Sequence, residues 1–140
     1  VGFVESAPTH WPFEAIVRAD RGRVFAAVTA DPKDWTWFPG LKGGSYVGDK
    51  RSVTVGRYSY DETVLVHDAP NRFVYHVDET NSPYANALVE EWTFKDHPDG
   101  TLVRWTFCVD RRLVLRMPGA RLVLARTFRR AMRNLQAQLT

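Results

Sequence analysis

Between Lys42 and Asp110 the chain alternates apolar and polar residues in short runs divided by turns, so its fold must bury one side of that pattern. Six strands are expected there: Gly44–Gly48, Arg51–Tyr58, Asp61–Asp68, Arg72–Glu79, Ala87–Asp96 and Thr101–Asp110. The breaks are Gly48-Asp49-Lys50, Ser59-Tyr60, Ala69-Pro70-Asn71 and His97-Pro98-Asp99-Gly100, with a longer loop over Thr80–Asn86. A two-residue turn at Ser59-Tyr60 sets Arg57 opposite Glu62, Val55 opposite Val64 and Val53 opposite Val66. The connection Ala69–Arg72 sets Val66 opposite Tyr75 and Val64 opposite Val77. The turn at His97–Gly100 sets Phe94 opposite Val103, Trp92 opposite Trp105 and Glu90 opposite Phe107. In each hairpin one face is almost wholly apolar, and a one-residue slip would expose it. The other face carries Thr54, His67, His76, Glu91, Thr93, Lys95, Arg104 and Thr106 and reads as solvated.

A helix of about twenty residues starting near Pro118-Gly119 can cover the apolar face. Leu124, Phe128, Ala131, Leu135 and Leu139 share one side of it with Met132, while Arg126, Arg129, Arg130 and Arg133 lie opposite. Ahead of the strands, Val1–Thr9 reads as a loose lead-in. His10–Ala19 reads as a strand, with Phe13, Ala15 and Val17 on one side. Asp20 caps a helix over Arg21–Thr29, and Asp31-Pro32 starts a second short helix that Pro39-Gly40 ends. The expected fold class is α+β. A curved antiparallel sheet of about seven strands wraps a long C-terminal helix, two short helices follow the first strand, and residues 1–140 form one domain.

Composition narrows the function classes. From Arg111 to Thr140 there are eight Arg and no Asp or Glu, whereas the remainder holds eleven basic and sixteen acidic residues. A basic terminal segment is thus attached to an acidic body. No apolar run approaches the ~20 residues of a membrane helix, and the N-terminus lacks the basic-then-apolar order of a signal peptide. Cys108 is the sole cysteine, so no internal disulfide forms, which agrees with an expected cytoplasmic location. His10, His67, His76 and His97 show no metal-ligand spacing, Cys108 has no neighbouring His by register, and no Gly-rich phosphate loop is present. Neither metal nor cofactor is expected. The helical arginines suit nucleic acid, anionic lipid or an acidic partner, but no aromatic residues interleave for base stacking. Nucleic acid is therefore not an expected partner, and a monomer or weak homodimer is.

Several ordered segments carry a resemblance: Val55-Gly56-Arg57, Glu62 opening the next strand, Asp68-Ala69-Pro70-Asn71-Arg72-Phe73-Val74-Tyr75, Glu91-Trp92-Thr93-Phe94, and Asp99-Gly100-Thr101-Leu102-Val103-Arg104-Trp105-Thr106. With the element order, which is the helix-grip order, they make the chain resemble the polyketide cyclase/dehydrase and lipid-transfer (START-like, SRPBCC) superfamily, in particular its small bacterial branch. The resemblance spans roughly residues 10 to 139. It implies a cavity between sheet and helix that holds a lipid, hormone or polyketide, and in some members an aromatase/cyclase activity.

Glu90 stands out because register places a carboxylate on the apolar face beside Trp92. Burial raises a carboxyl pKa and suits it to general acid or base work; an Arg or Tyr partner would instead make it structural. Tyr75 offers a phenol on the same face, for a ligand oxygen or a backbone carbonyl. Arg57 and Glu62 read as an ion pair at the cavity rim or as a polar gate for a ligand carboxylate or carbonyl. Val64, Phe73, Trp92, Trp105, Phe107, Phe128 and Met132 are expected to wall the cavity, with Trp37 near its entrance beside Trp35 and Phe38. Three readings follow: an apolar-ligand binder; an aromatase/cyclase or dehydratase using Glu90 or Tyr75 on a polyketide-type substrate; and a regulatory or interaction protein acting through the basic helix face.

Overall fold

The computed structural model describes residues 9–82, 87–109 and 119–140. The expected lead-in over residues 1–8, most of the loop before the sixth strand, and residues 110–118 lie outside the described residues. The elements are β1 (Thr9–Val17), α1 (Arg21–Thr29), a 3₁₀ turn (Pro32–Asp34), β2 (Leu41–Val47), β3 (Lys50–Val55), β4 (Tyr58–Asp68), β5 (Arg72–Thr80), β6 (Ala87–His97), β7 (Gly100–Val109) and α2 (Ala120–Leu139). One seven-stranded antiparallel sheet runs β1-β7-β6-β5-β4-β3-β2. Successive hairpins build β2 to β7, and β1 adds to the free edge of β7. This is the helix-grip arrangement expected from the element order.

The helix buries the stripe its sequence set out. Phe128, Ala131, Met132 and Leu135 are buried in the main core, and Leu124 and Leu139 pack against it. Fully burying one such large side chain contributes ~1.5–3 kcal/mol before entropy is charged against it. Phe128 sits over Phe13, Trp92 and Trp105, with ring centroids 6.1, 6.2 and 6.0 Å away. Arg126, Arg129, Arg130 and Arg133 are exposed, and among the described residues no carboxylate pairs with them. No helix of the described residues is long and apolar enough to cross a membrane.

The β6–β7 register is the expected one: Glu90 faces Phe107, Trp92 faces Trp105 and Phe94 faces Val103. Four expectations need correction. The second short helix is only the turn Pro32–Asp34, capped by Asp31, whose side chain accepts from the Lys33 backbone N–H at 3.1 Å. Beyond it the chain is irregular, running through bends into a turn at Pro39-Gly40, and side-chain hydrogen bonds hold it. The Trp35 indole donates to Ala30 O at 2.9 Å, and the Asn134 amide donates to Trp37 O at 3.1 Å. Pro39 also disfavours helix at the residue before it.

The β3–β4 turn is Gly56-Arg57, not Ser59-Tyr60, because Val55 pairs with Tyr58. Gly56 has φ +59° at the first central position, where two-residue hairpin turns of the Gly-first type need it. The register therefore moves: Arg51, rather than Arg57, lies opposite Glu62, and Val53 lies opposite Tyr60.

The β4–β5 register shifts between Val64 and Val66, so that Val64 faces Tyr75 and Val66 faces Val74. A β-bulge of this kind inserts one unpaired residue, here Leu65, and turns the strand over. Val64 packs on the main core, whereas Val66 joins Val74, Val89 and Cys108 in a second, smaller cluster. His67, expected on the solvated face, instead stands edge-on to Phe25 and Phe73 at 5.2 and 5.9 Å. Nor is the outer face uniformly wet, since Cys108 is fully buried there.

Candidate functional site

The sheet register lines up a polar row on the inner face. From β3 it runs Arg51 to Glu62, then through the Val77–Tyr75 stretch of β5 to Glu90 and Phe107. Arg51 and Glu62 are only 4% and 5% exposed. The guanidinium donates through both Nε and Nη2 to Glu62 Oε1, at 2.7 and 2.6 Å. Its Cζ lies 4.3 Å from the Tyr75 ring centroid and 5.2 Å from that of Trp35, within cation–π range. Burial works against the Arg51 charge, but Glu62, Tyr75 and Tyr46 outweigh it and raise its pKa further. Burial also raises the Glu62 carboxyl, against the pull of Arg51.

Glu90 is 7% exposed and is held by neighbouring side chains. The Tyr75 hydroxyl donates to its Oε1 at 2.7 Å and the Trp105 indole N–H to the same atom at 3.0 Å. The Trp92 indole in turn donates to the Tyr75 oxygen at 3.3 Å. Among the described residues nothing donates to Oε2 of Glu90. Burial, reinforced by the Glu62 charge, pushes the Glu90 carboxyl up to about 8, against its hydrogen bonds and Arg51. Tyr75 is raised well above the ordinary phenol range, by burial first and by Glu90 second, so it stays a phenol.

These groups line a cavity of about 210 Å³ between the sheet and α2. The indoles of Trp92 and Trp105 stack on its wall, 4.8 Å apart and 17° from parallel. Trp35, Trp37, Phe38 and Phe107 add further rings, and Val123, Leu124 and Thr127 of α2 close the helix side. The buried Trp37 indole N–H has no acceptor among the described residues.

Seven of the residues singled out from sequence reach this cavity: Glu62, Tyr75, Glu90, Trp92, Trp105, Phe107 and Trp37. Five do not. Arg57 is an exposed turn residue lying over the Tyr58 ring. Phe73, Phe128 and Met132 are buried in the core behind the wall. Val64 lines a separate depression with Tyr46 and His67. The sequence reading missed Arg51, Tyr58, Tyr60 and Thr80, which also line the cavity. Gly56 was the signal that could have found Arg51: a Gly-first turn there fixes the hairpin register.

A family profile described as polyketide cyclase / dehydrase and lipid transport matches residues 13–140. No curated protein matches the chain. Among solved structures, the protein XoxI from Bacillus cereus is similar with a TM-score of 0.75 at 14% identity, over 94% of this chain and 95% of that one. A START superfamily protein from Mycobacterium smegmatis gives 0.73 at 14% identity, over 93% and 96%. The Aha1 dimer from Colwellia psychrerythraea gives 0.72 at 14% identity, over 94% and 96%. At such identities the likeness shows the START fold and nothing about ligands.

Proposed function

The chain belongs to the polyketide cyclase / dehydrase and lipid transport family, and from that premise we propose that it holds a small apolar molecule between the sheet and α2. The observation that carries this reading is the space of about 210 Å³ left among so many large rings. Protein interiors are ordinarily packed without such voids. Apolar walls with a few polar groups are the usual makeup of a ligand site, and this one falls below the ~300–1,000 Å³ typical of drug-sized ligands. Its size favours a compact ring compound over a long acyl chain. Burial of the ligand's apolar surface, at ~25 cal/mol per Å² before association costs, supplies most of the affinity.

Two measurements test it. Native mass spectrometry of protein taken from cells should show a co-purified apolar compound. The environment-sensitive fluorescence of 1-aminonaphthalene should rise on binding, and Val77→Phe, which fills the space from β5, should weaken that binding at least about tenfold while keeping the fold. Equal binding by the filled variant places the dye elsewhere and removes the reading.

A second reading is favoured by Glu90 alone. A buried carboxyl that keeps its proton to about pH 8 beside a cavity is suited to general acid work. The corresponding reactions are ring closure or water loss on a polyketide-type substrate, with Tyr75 holding the acid in place. In an enzyme of that kind Glu90→Gln should lower turnover by ~10²–10⁴ with ligand affinity nearly unchanged. Normal turnover by this variant excludes Glu90 from catalysis.

A further inference from the structure

The charge pattern of the cavity wall restricts what it accepts, provided the proposed binding reading holds. Its charged side chains among the described residues are Arg51, Glu62 and Glu90. Arg51 is already matched by Glu62 at 2.6 Å. An anionic ligand would enter beside two carboxyl groups without a spare cation, and a cationic ligand would enter beside a buried guanidinium. Either would lose its hydration for poor compensation. An uncharged ligand meets neither cost.

Glu90 adds a direction. Its Oε1 already receives two hydrogen bonds, from Tyr75 and Trp105. In the neutral acid the proton therefore resides on Oε2, which becomes a donor. A buried donor left without an acceptor costs about 1–3 kcal/mol, so the site favours a ligand that brings one. Trp37 also lines the wall, but its indole N–H, without an acceptor among the described residues, is sealed from the cavity surface and offers the ligand no donor. The space is only about seven water molecules' worth at ~30 Å³ each, and nine of its twenty lining residues carry planar rings.

We infer that the cavity selects a small uncharged aromatic compound with an acceptor oxygen, such as an aryl ketone, whose oxygen takes a hydrogen bond from the Oε2 hydroxyl of Glu90. The titratable groups around Glu90 are Tyr75 on β5, Tyr58, Tyr60 and Glu62 on β4 and Arg51 on β3; β7 offers Trp105 and Phe107, and α2 offers Val123, Leu124 and Thr127. Tyr75, Tyr60 and Arg51 are raised above their ordinary values and keep their protons when Glu90 loses its own.

Four probes of nearly the same shape decide the matter by NMR titration at pH 6.5: acetophenone, cumene, benzoate and α-methylbenzylammonium. Acetophenone should bind about tenfold more tightly than cumene, the worth of one buried hydrogen bond, and both ions more weakly than cumene. Glu90→Gln should keep the ketone preference, because its amide N–H₂ can donate from the Oε2 position, and Glu90→Leu should lose it. At pH 9.5 the native protein should lose the preference and the Gln variant should retain it. Should the Leu variant not fold, the native and Gln proteins compared across pH still decide. Equal binding of acetophenone and cumene, or tighter binding of either ion, overturns this inference while leaving the cavity reading intact. Failure of all four probes to bind, with no response to Val77→Phe, overturns the cavity reading itself.

Discussion

Replacing Arg51 by Ala is expected to destabilise the fold by about 3–5 kcal/mol, one of the two largest effects open to a single substitution here. The reason lies in what remains. Glu62, 5% exposed, would keep a carboxylate in an apolar wall with its partner gone. It could escape only by taking up a proton. The loss is therefore the cost of an unmatched buried charge and not the net worth of the pair. The double replacement Arg51→Met with Glu62→Leu tests that distinction, because removing both charges should restore most of the stability or exceed it. Urea unfolding at pH 7 of the native protein, the single variant and the double variant provides the comparison. A single variant within about 1 kcal/mol of native would mean that water reaches the pair and that the site is open rather than buried.

The second large effect is a fall in stability with rising pH that Glu90→Gln removes. In the unfolded chain this carboxyl titrates near its ordinary 4.5, and in the fold near 8. Between those values the native state holds one more proton than the unfolded state, so stability declines as pH rises. The contribution is fully present below about pH 4.5, and is gone above about pH 8. Each unit of separation is worth roughly 1.4 kcal/mol, so the decline amounts to several kcal/mol. Glu62, also raised, adds a slope of the same sign that survives in the variant. Unfolding at pH 5.5, 7 and 9 should show a steep native decline, a shallower one for Glu90→Gln, and the variant the more stable protein at pH 9. Parallel profiles would show that Glu90 is solvated or ionised throughout.

Much of the architecture could be read from the residues because periodicity and turn chemistry reinforced each other. The β6–β7 hairpin is the clearest case: Pro98, Asp99 and Gly100 mark one turn, and that turn alone puts Trp92 on Trp105 and Glu90 on Phe107. The amphipathic C-terminal helix was equally plain. The β3–β4 hairpin was not, since two adjacent dipeptides competed for the turn and only the positive φ of Gly56 separates them. Choosing the wrong one kept the inner and outer faces right but exchanged Arg51 for Arg57. The helix expected over the Trp35–Phe38 segment failed for a different reason. Its geometry is fixed by Asn134 and by ring packing from elements far away in the chain, which local spacing does not encode. Which rings line the space and which stand behind it, as Trp92 and Phe128 do, depends on three-dimensional curvature and has no sequence signature.

The extra residue at Leu65 gives β4 two phases. Before it, Tyr60 and Glu62 point to the cavity; after it, His67 reaches the underside of α1 while Val66 looks the other way. Deleting Leu65 alone would close the bulge into a regular ladder, because Val64, Val66 and His67 already pair with the consecutive residues Tyr75, Val74 and Phe73. One unpaired residue thus lets a single strand serve two surfaces, the cavity wall with one phase and the seat of the first helix with the other.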